Sequence, residues 1–194
     1  MSSKRITLVG LFVLTIVIVV LTSCSTDPLT APKDQSAGLS INQGIPADQI
    51  NWISWKPEVK EQIDALAKSG LAGKMITHSG GTVGGNITFG NTVEIPAGAV
   101  QSNTYITVEV LHVDGNEYGA EVEFLPSMVF SSDVLVTLSW AYLDVENISD
   151  LNVYYSEDGG ETWFLVEDAD IDIDYENKTL SVWVNHFTRY GWGL

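Results

Sequence analysis

The chain has 194 residues, and its 25 acidic side chains against 9 basic ones give a formal net charge of −16. Such a surface repels phosphates, which excludes nucleic acid as a partner and favours cations, basic proteins or neutral sugars. No Lys or Arg lies between Lys74 and Lys178, so the acidity is concentrated in the body of the chain. The alternative interpretation is that the acidic side chains are solvated and keep the protein soluble without binding a partner.

The N-terminus has the pattern of a secretory signal. Lys4 and Arg5 precede an uncharged apolar run over residues 6–21. As a helix this run spans about 24 Å, which is short of the ~30 Å hydrocarbon core of a bilayer. The run closes on Leu21-Thr22-Ser23-Cys24, which resembles the lipobox of bacterial lipoproteins. A short membrane anchor is the alternative.

The resemblance implies a cell-envelope lipoprotein, a membrane protein held through lipid on Cys24 after residues 1–23 are removed. Two or more acyl chains, such as palmitate, attach a protein stably, whereas one chain holds it weakly. Ser25 rather than Asp follows the cysteine, so the inner-membrane retention signal of such lipoproteins is missing. We therefore expect the outer membrane, in a leaflet that the sequence does not define. With Cys24 acylated, the chain has no thiol left for a disulfide.

The next part of the chain divides into two segments. Residues 24–49 are rich in Ser, Thr, Pro, Gly and Asp without periodicity, which predicts a flexible tether. Residues 50–74 are expected to contain a helix, which begins near Pro57, ends near Gly70 and is apolar on one face at Val59, Ile63 and Leu66. Trp52 and Trp55 precede the helix and are expected to pack it on the main domain. A pair of tryptophans that stacks on sugars is the alternative.

Residues 75–194 change to a period of two, with Gly, Asn and Pro between short apolar runs. We predict strands at 75–78, 86–89, 92–95, 105–113, 120–124, 134–140, 152–155, 163–166, 170–175 and 179–185. Many short strands separated by turns predict an all-β, antiparallel β-sandwich with one short N-terminal helix.

Four stretches of this region resemble the ZU-five domain shared by ankyrins, netrin receptors and zonula occludens proteins. They are Gly80-Gly81-Thr82-Val83, residues 93–99 (VEIPAGA), residues 124–130 (FLPSMVF) and the ending at 184–192 (VNHFTRYGW). The resemblance implies a β-sandwich used for protein binding and not a conventional enzyme, with no cofactor.

The ending is similar to a His-Phe-Ser motif that marks self-cleavage in some relatives. By that resemblance Thr188 attacks the carbonyl of Phe187, and His186 takes the proton of its hydroxyl. This chain has Thr where the commoner motif has Ser. The alternative is an uncut final strand, in which Phe187 and Tyr190 pack inward and His186 sits at the edge.

A second motif resembles the Asp-box, a hairpin brace found in sialidases and many other β proteins. Its positions here are Ser156, Asp158, Gly160, Thr162 and Trp163. The side chains of Asp158 and Thr162 suit bonds to turn amides, and Trp163 suits packing beneath the turn. The motif occurs once, which argues for a structural hairpin and not for glycoside cleavage.

A third pattern is an acidic alternation over residues 168–176. It places Asp170, Asp172 and Asp174 on one face of a strand, about 6.8 Å apart at ~3.4 Å per residue. Ca²⁺ binding between these oxygens is one hypothesis, and a solvated acidic face is the alternative.

The combined interpretation is a lipid-anchored envelope protein whose β-sandwich binds a protein or another envelope component. Two alternatives stay open, namely a self-cleaving module and a surface that binds carbohydrate or calcium. Protein binding predicts an apolar patch or a free strand edge, whereas sugar binding predicts an exposed pair of tryptophans lining a groove.

Overall fold

The computed structural model of the chain describes residues 44–65, 70–111, 119–146, 148–167 and 171–194. The signal sequence, Cys24, most of the predicted tether and Asp170 lie outside these residues. The statements below concern the described part of the chain.

The described residues form twelve strands and one α-helix, α1 (Pro57–Ala65). The strands are β1 (Ile45–Pro46), β2 (Leu71–Ile76), β3 (Gly81–Gly84), β4 (Thr92–Ile95), β5 (Thr104–Leu111), β6 (Glu121–Leu125), β7 (Val129–Ser139), β8 (Asn152–Ser156), β9 (Thr162–Leu165), β10 (Ile171–Asp174), β11 (Thr179–His186) and β12 (Arg189–Gly193). The predicted fold class, an all-β sandwich with one short helix, is confirmed.

The strands pair into two antiparallel sheets. The first has the order β1-β9-β8-β12-β6-β5-β2, and the second has the order β10-β11-β7-β4-β3. Because β11 lies in the second sheet and the next strand, β12, lies in the first, the chain crosses the sandwich between them.

Alternating side chains fill the space between the sheets. Val134, Val136 and Leu138 of β7 and Ile106 and Val108 of β5 are fully buried. Successive side chains of a strand point to opposite faces, so the period of two in the sequence becomes one inward face for each strand. Burying one such side chain contributes about 1.5–3 kcal/mol.

Helix α1 and the residues before it belong to the same core. Val59 and Trp55 are each 1 % exposed. The indole Nε1 of Trp55 donates to the carbonyl of Leu111 on β5 at 3.1 Å. The predicted packing of the helix on the main domain is therefore observed, although Leu66 lies outside the described residues.

Two predicted boundaries are moved by the structure. Residues 45–49, assigned to the tether, are β1 and a 3-10 helix (Ala47–Gln49), and β1 pairs with β9. The expected border between helical segment and sandwich at residue 75 falls inside β2 (Leu71–Ile76), which pairs with β5 along its whole length. Residues 44–74 are thus part of the sandwich wherever they are described.

The strand predicted at 86–89 is wrong, since this segment is a 3-10 helix (Asn86–Thr88). Polar side chains stabilise this helix, because the hydroxyl of Thr88 accepts from the Gly85 backbone amide at 2.8 Å and the side-chain Nδ2 of Asn91 donates to the Thr88 carbonyl at 2.7 Å. Such local bonds compete with strand pairing. Strands β1 and β3 were not predicted, and β12 was expected only in the alternative of an uncut final strand.

A second, smaller cluster lies on the outer face of the first sheet. Ile50, Tyr154 and Trp163 are buried there, with Trp52 packed against them. Trp163 alternates with the inward-facing residues of β9, which places its ring on the outer face. The segment before α1 covers this face, so the sheet is buried on both sides at that end.

Candidate functional site

The predicted cleavage site lies where the chain crosses between the sheets. Phe187 and Thr188 separate β11 from β12, and both are buried. The Phe187 amide donates to the Met128 carbonyl, and the Thr188 carbonyl accepts from the Phe124 amide, each at 3.3 Å. The break in strand structure at this peptide therefore follows from the change of sheet.

His186 is not placed to take a proton from Thr188. Its Nδ1 lies 2.8 Å from Oδ1 of Asn185, and its Nε2 lies 3.1 Å from Oε1 of Glu157. The hydroxyl of Thr188 instead contacts the carbonyl of Arg189 at 3.4 Å. Phe187 and Tyr190 are 2 % and 3 % exposed, whereas His186 is half-exposed at the end of β11. This is the arrangement of the uncut final strand.

Beside this crossing, a groove of about 390 Å³ opens between the two sheets, and we call it the edge groove. Tyr155 of β8 and Tyr190 of β12 line it from the first sheet, and Val182 and Val184 of β11 line it from the second. Trp183, which is 58 % exposed, forms part of its rim. Aromatic and apolar side chains around a few polar groups are typical of binding sites.

The polar side chains that line the edge groove are three hydroxyls, the carboxylate of Glu167 and the imidazole of His186. Burial raises the pKa of the Tyr190 phenol to about 12, while a hydrogen bond with Thr188 opposes this shift. Burial also raises the pKa of Tyr155, and the charges of Glu157 and Glu167 raise it further. Both carboxylates therefore act on the same phenol in the groove.

Arg189, a basic side chain of β12, is paired with two carboxylates on β6. Arg189 contacts Glu123 at 2.7 Å and Glu121 at 3.3 Å. These side chains alternate with the inward-facing Val122 and Tyr190, which places them on the outer face of the sheet. Within the described residues, no Lys or Arg lines the edge groove.

The Asp-box residues form the turn between β8 and β9. Oδ1 of Asp158 accepts from the hydroxyl of Ser156 and from the amides of Glu161 and Thr162, at 2.8, 3.0 and 2.9 Å. The Ser156 hydroxyl accepts from the Gly160 amide at 2.8 Å. Several hydrogen bonds hold the pKa of Asp158 well below its ordinary value, and the bond from the Thr162 backbone amide has the largest effect.

Trp163 lies beneath this turn and is fully buried. Its Nε1 donates to the Gly160 carbonyl at 2.9 Å. The bonds of the turn are thus satisfied within the hairpin, which is the structural brace that the pattern predicts.

The acidic strand does not gather its carboxylates around one point in its described part. Asp172 is exposed, and Asp174 Oδ1 accepts from the amides of Glu176 and Asn177 in the turn after β10. Among the described residues, no group of three or more His, Cys, Asp or Glu side chains is arranged to hold a metal ion. Asp170, the third residue of the calcium hypothesis, lies outside them.

The six tryptophans do not form the exposed pair expected for sugar binding. Trp55, Trp140, Trp163 and Trp192 are buried, and Trp52 is half-buried against Trp163. Trp183 alone is largely exposed.

The sequence reasoning missed the edge groove. A signal was present, because Ser181, Trp183 and Asn185 are out of phase with the inward-facing Leu180 and Val182. A single outward-facing indole is a weak signal, because isolated exposed apolar side chains are common on protein surfaces. Tyr155 and Glu167 carried no such signal, since only the crossing of the sheets brings them near β11.

The described residues contain no helix that has the length and hydropathy to cross a membrane. No protein-family model matches the chain, and no curated protein is significantly similar to it.

Proposed function

We propose that the chain is a bacterial cell-envelope lipoprotein, anchored through Cys24 in the outer membrane, whose β-sandwich is a non-catalytic domain for protein binding. The observation that carries the binding role is the edge groove, with Trp183 exposed at its rim. Large aromatic side chains at the surface contribute strongly to protein interfaces.

The hydrogen-bond partners of His186 and Thr188 favour a binding role over a catalytic one. A general base must reach the proton that it removes, and both ring nitrogens of His186 already have other partners. Thr188 is buried, and its hydroxyl bonds to groups that are poor bases. A hydroxyl without a base at hydrogen-bond distance is a weak nucleophile.

The glycines of the ZU-five-like motifs have structural roles that support the resemblance. A Cβ atom on Gly80 would meet the backbone of Ile95 and Pro96, so only glycine allows β3 to approach this turn. Gly98 has a φ of 85° and donates to the His78 carbonyl at 2.8 Å. Both glycines hold the turn after β4, where the VEIPAGA motif lies.

Crosslinking in living cells tests the binding role. A benzophenone amino acid replaces Trp183 in the full chain, and the control replaces Tyr105, an exposed aromatic residue of β5 far along the first sheet. We expect a discrete protein adduct from position 183 and none from position 105. Equal adducts from both positions, or none from position 183, contradict binding at the groove.

Intact mass spectrometry of membrane-extracted protein tests the anchor. The expected mass is that of a chain beginning at Cys24 with its acyl groups, whereas Cys24→Ala keeps residues 1–23. A wild-type chain that begins at Met1 without lipid contradicts the anchor. The same spectrum reports cleavage after Phe187, and Thr188→Ala is the control for that reaction.

A further inference from the structure

We propose that the edge groove takes a cationic side chain, arginine or lysine, from an extended segment of the protein partner. This inference rests on the proposed function and adds the chemistry of the partner to it.

The first argument is charge complementarity. Glu167 is exposed and lines the groove, and Glu157 contacts His186, which also lines it, at 3.1 Å. The charges of both carboxylates raise the pKa of Tyr155, another lining residue. Since His186 is paired with Glu157 and no Lys or Arg of the described residues lines the groove, the charge of Glu167 is left for a ligand to neutralise.

The second argument is that the groove places an apolar wall beside hydrogen-bonding groups, as a long cationic side chain requires. Val182 and Val184 offer an apolar wall for the methylene stem of a long side chain. The hydroxyls of Tyr155, Tyr190 and Thr188 offer acceptors for its N–H groups. An ammonium or guanidinium group also stacks favourably on an exposed indole, and Trp183 supplies one.

The third argument concerns the size of the groove and the number of ligand groups that it offers. A volume of about 390 Å³ suits one long side chain with its neighbouring backbone, not a folded domain. A bare divalent cation is a poorer match, because Ca²⁺ takes six to eight oxygen ligands and the lining of the groove includes one carboxylate, that of Glu167. A neutral sugar would stack on Trp183 but would leave the Glu167 carboxylate without a counter-charge.

The test measures peptide binding to the full chain, solubilised in detergent, by NMR of its indole N–H groups. The probes are three blocked pentapeptides, Val-Thr-Xaa-Thr-Val, with Arg, Gln or norleucine at the centre. Loss of one signal in Trp183→Phe assigns the indole of Trp183. We expect the Arg peptide to shift this signal and to bind about tenfold more tightly than the Gln peptide, a difference of ~1.4 kcal/mol.

Two variants with matched controls locate the binding. Glu167→Gln and Trp183→Ala are expected to weaken binding of the Arg peptide several-fold. Glu94→Gln removes an exposed carboxylate of β4, and Tyr105→Ala removes an exposed ring of β5. Both controls are expected to leave the affinity unchanged.

The outcomes separate the inference from the proposed function. Equal binding of the three peptides at Trp183 overturns the choice of a cation but keeps protein binding. Affinity for the Arg peptide that is the same in Glu167→Gln as in the wild type shows a general attraction to an acidic surface and also overturns the inference. A shift of the Trp183 signal by an N-acetylglucosamine tetramer, with none by any peptide, overturns both.

Discussion

The six-membered ring of Trp52 packs directly on the backbone of Gly191. A Cβ atom at Gly191 would lie 2.6 Å from Cζ3 of Trp52 and 3.2 Å from Cη2 of Trp163. The absence of a side chain on the outer face of β12 therefore makes room for both indoles. This contact attaches the segment before α1 to the first sheet.

The first prediction concerns this contact. Gly191→Ala is expected to destabilise the fold by about 1–3 kcal/mol, because the added methyl group overpacks a rigid aromatic contact. The measurement is urea unfolding followed by tryptophan fluorescence. In a double-mutant cycle, Trp52→Ala is expected to relieve part of the cost of Gly191→Ala. Additive effects of the two changes would show that the ring and the glycine are not coupled.

The second prediction concerns the buried carboxyl of Glu121. Burial raises the pKa of Glu121 above 4.5, and this effect exceeds the opposing effect of Arg189. Between 4.5 and the raised value, the folded state binds more protons than the unfolded state. The contribution of this group to stability therefore falls as pH rises through that interval.

Glu121→Gln removes this titration. The stability of the wild type minus that of Glu121→Gln is expected to decrease as pH rises from 4.5, in unfolding curves measured at a series of pH values. The same subtraction with Glu94→Gln, at an exposed site of β4, is the control. A difference that increases with pH would mean that Arg189 stabilises the ionised carboxylate by more than burial destabilises it.

The alternation of the sequence predicted most of the strands, because most of them bury one face between the two sheets. The period of two at Val134, Val136 and Leu138 reports inward burial directly. The same reasoning wrongly predicted a strand at residues 86–89. There the side chains of Thr88 and Asn91 bond to the backbone and stabilise a 3-10 helix instead. The reasoning also failed at β1, because a strand of two residues is too short to show a period.

The bonds of Asp158 and the position of Trp163 in the hairpin brace could be predicted, since these residues lie within eight positions of sequence. Thr162 differs from the prediction, because it bonds to Asp158 through its backbone amide. The edge groove could not be predicted, because it depends on the crossing that brings β11 beside β8 and β9. The sequence pattern therefore predicted the hairpin brace, whose residues are close in sequence. The edge groove, on which the proposed function depends, could be found only from the arrangement of the strands in the two sheets.

The third prediction concerns the hairpin brace. Asp158→Asn is expected to lower the melting temperature at neutral pH, because the carboxylate that accepts three bonds in the turn is lost. Since the folded pKa of Asp158 lies below its ordinary value of 3.8, its contribution is present above 3.8 and is lost as pH falls below it. The two melting temperatures should therefore converge in acid.

The control for this change is Glu161→Gln in the same turn. Glu161 takes part in the turn through its backbone amide, so this variant should keep the bonds to Asp158 and melt like the wild type at neutral pH. A constant difference between Asp158→Asn and the wild type down to strongly acidic pH would show that geometry and not charge holds the turn.

The fourth prediction concerns Asn91, which is fully buried between β4 and the end of β7. Its Oδ1 accepts from the Ser139 amide at 3.0 Å, and its Nδ2 donates to the Thr88 carbonyl. Asn91→Ala removes the partner of the Ser139 amide, which costs about 1–3 kcal/mol if this buried group stays unsatisfied. The Thr88 carbonyl keeps the bond from the Asn91 backbone amide at 3.0 Å. Hydrogen exchange should report the loss locally, as faster exchange of the Ser139 amide. Asn86→Ala, in the same segment, is the control. Equal stability of the two variants would mean that water replaces the Asn91 side chain without cost.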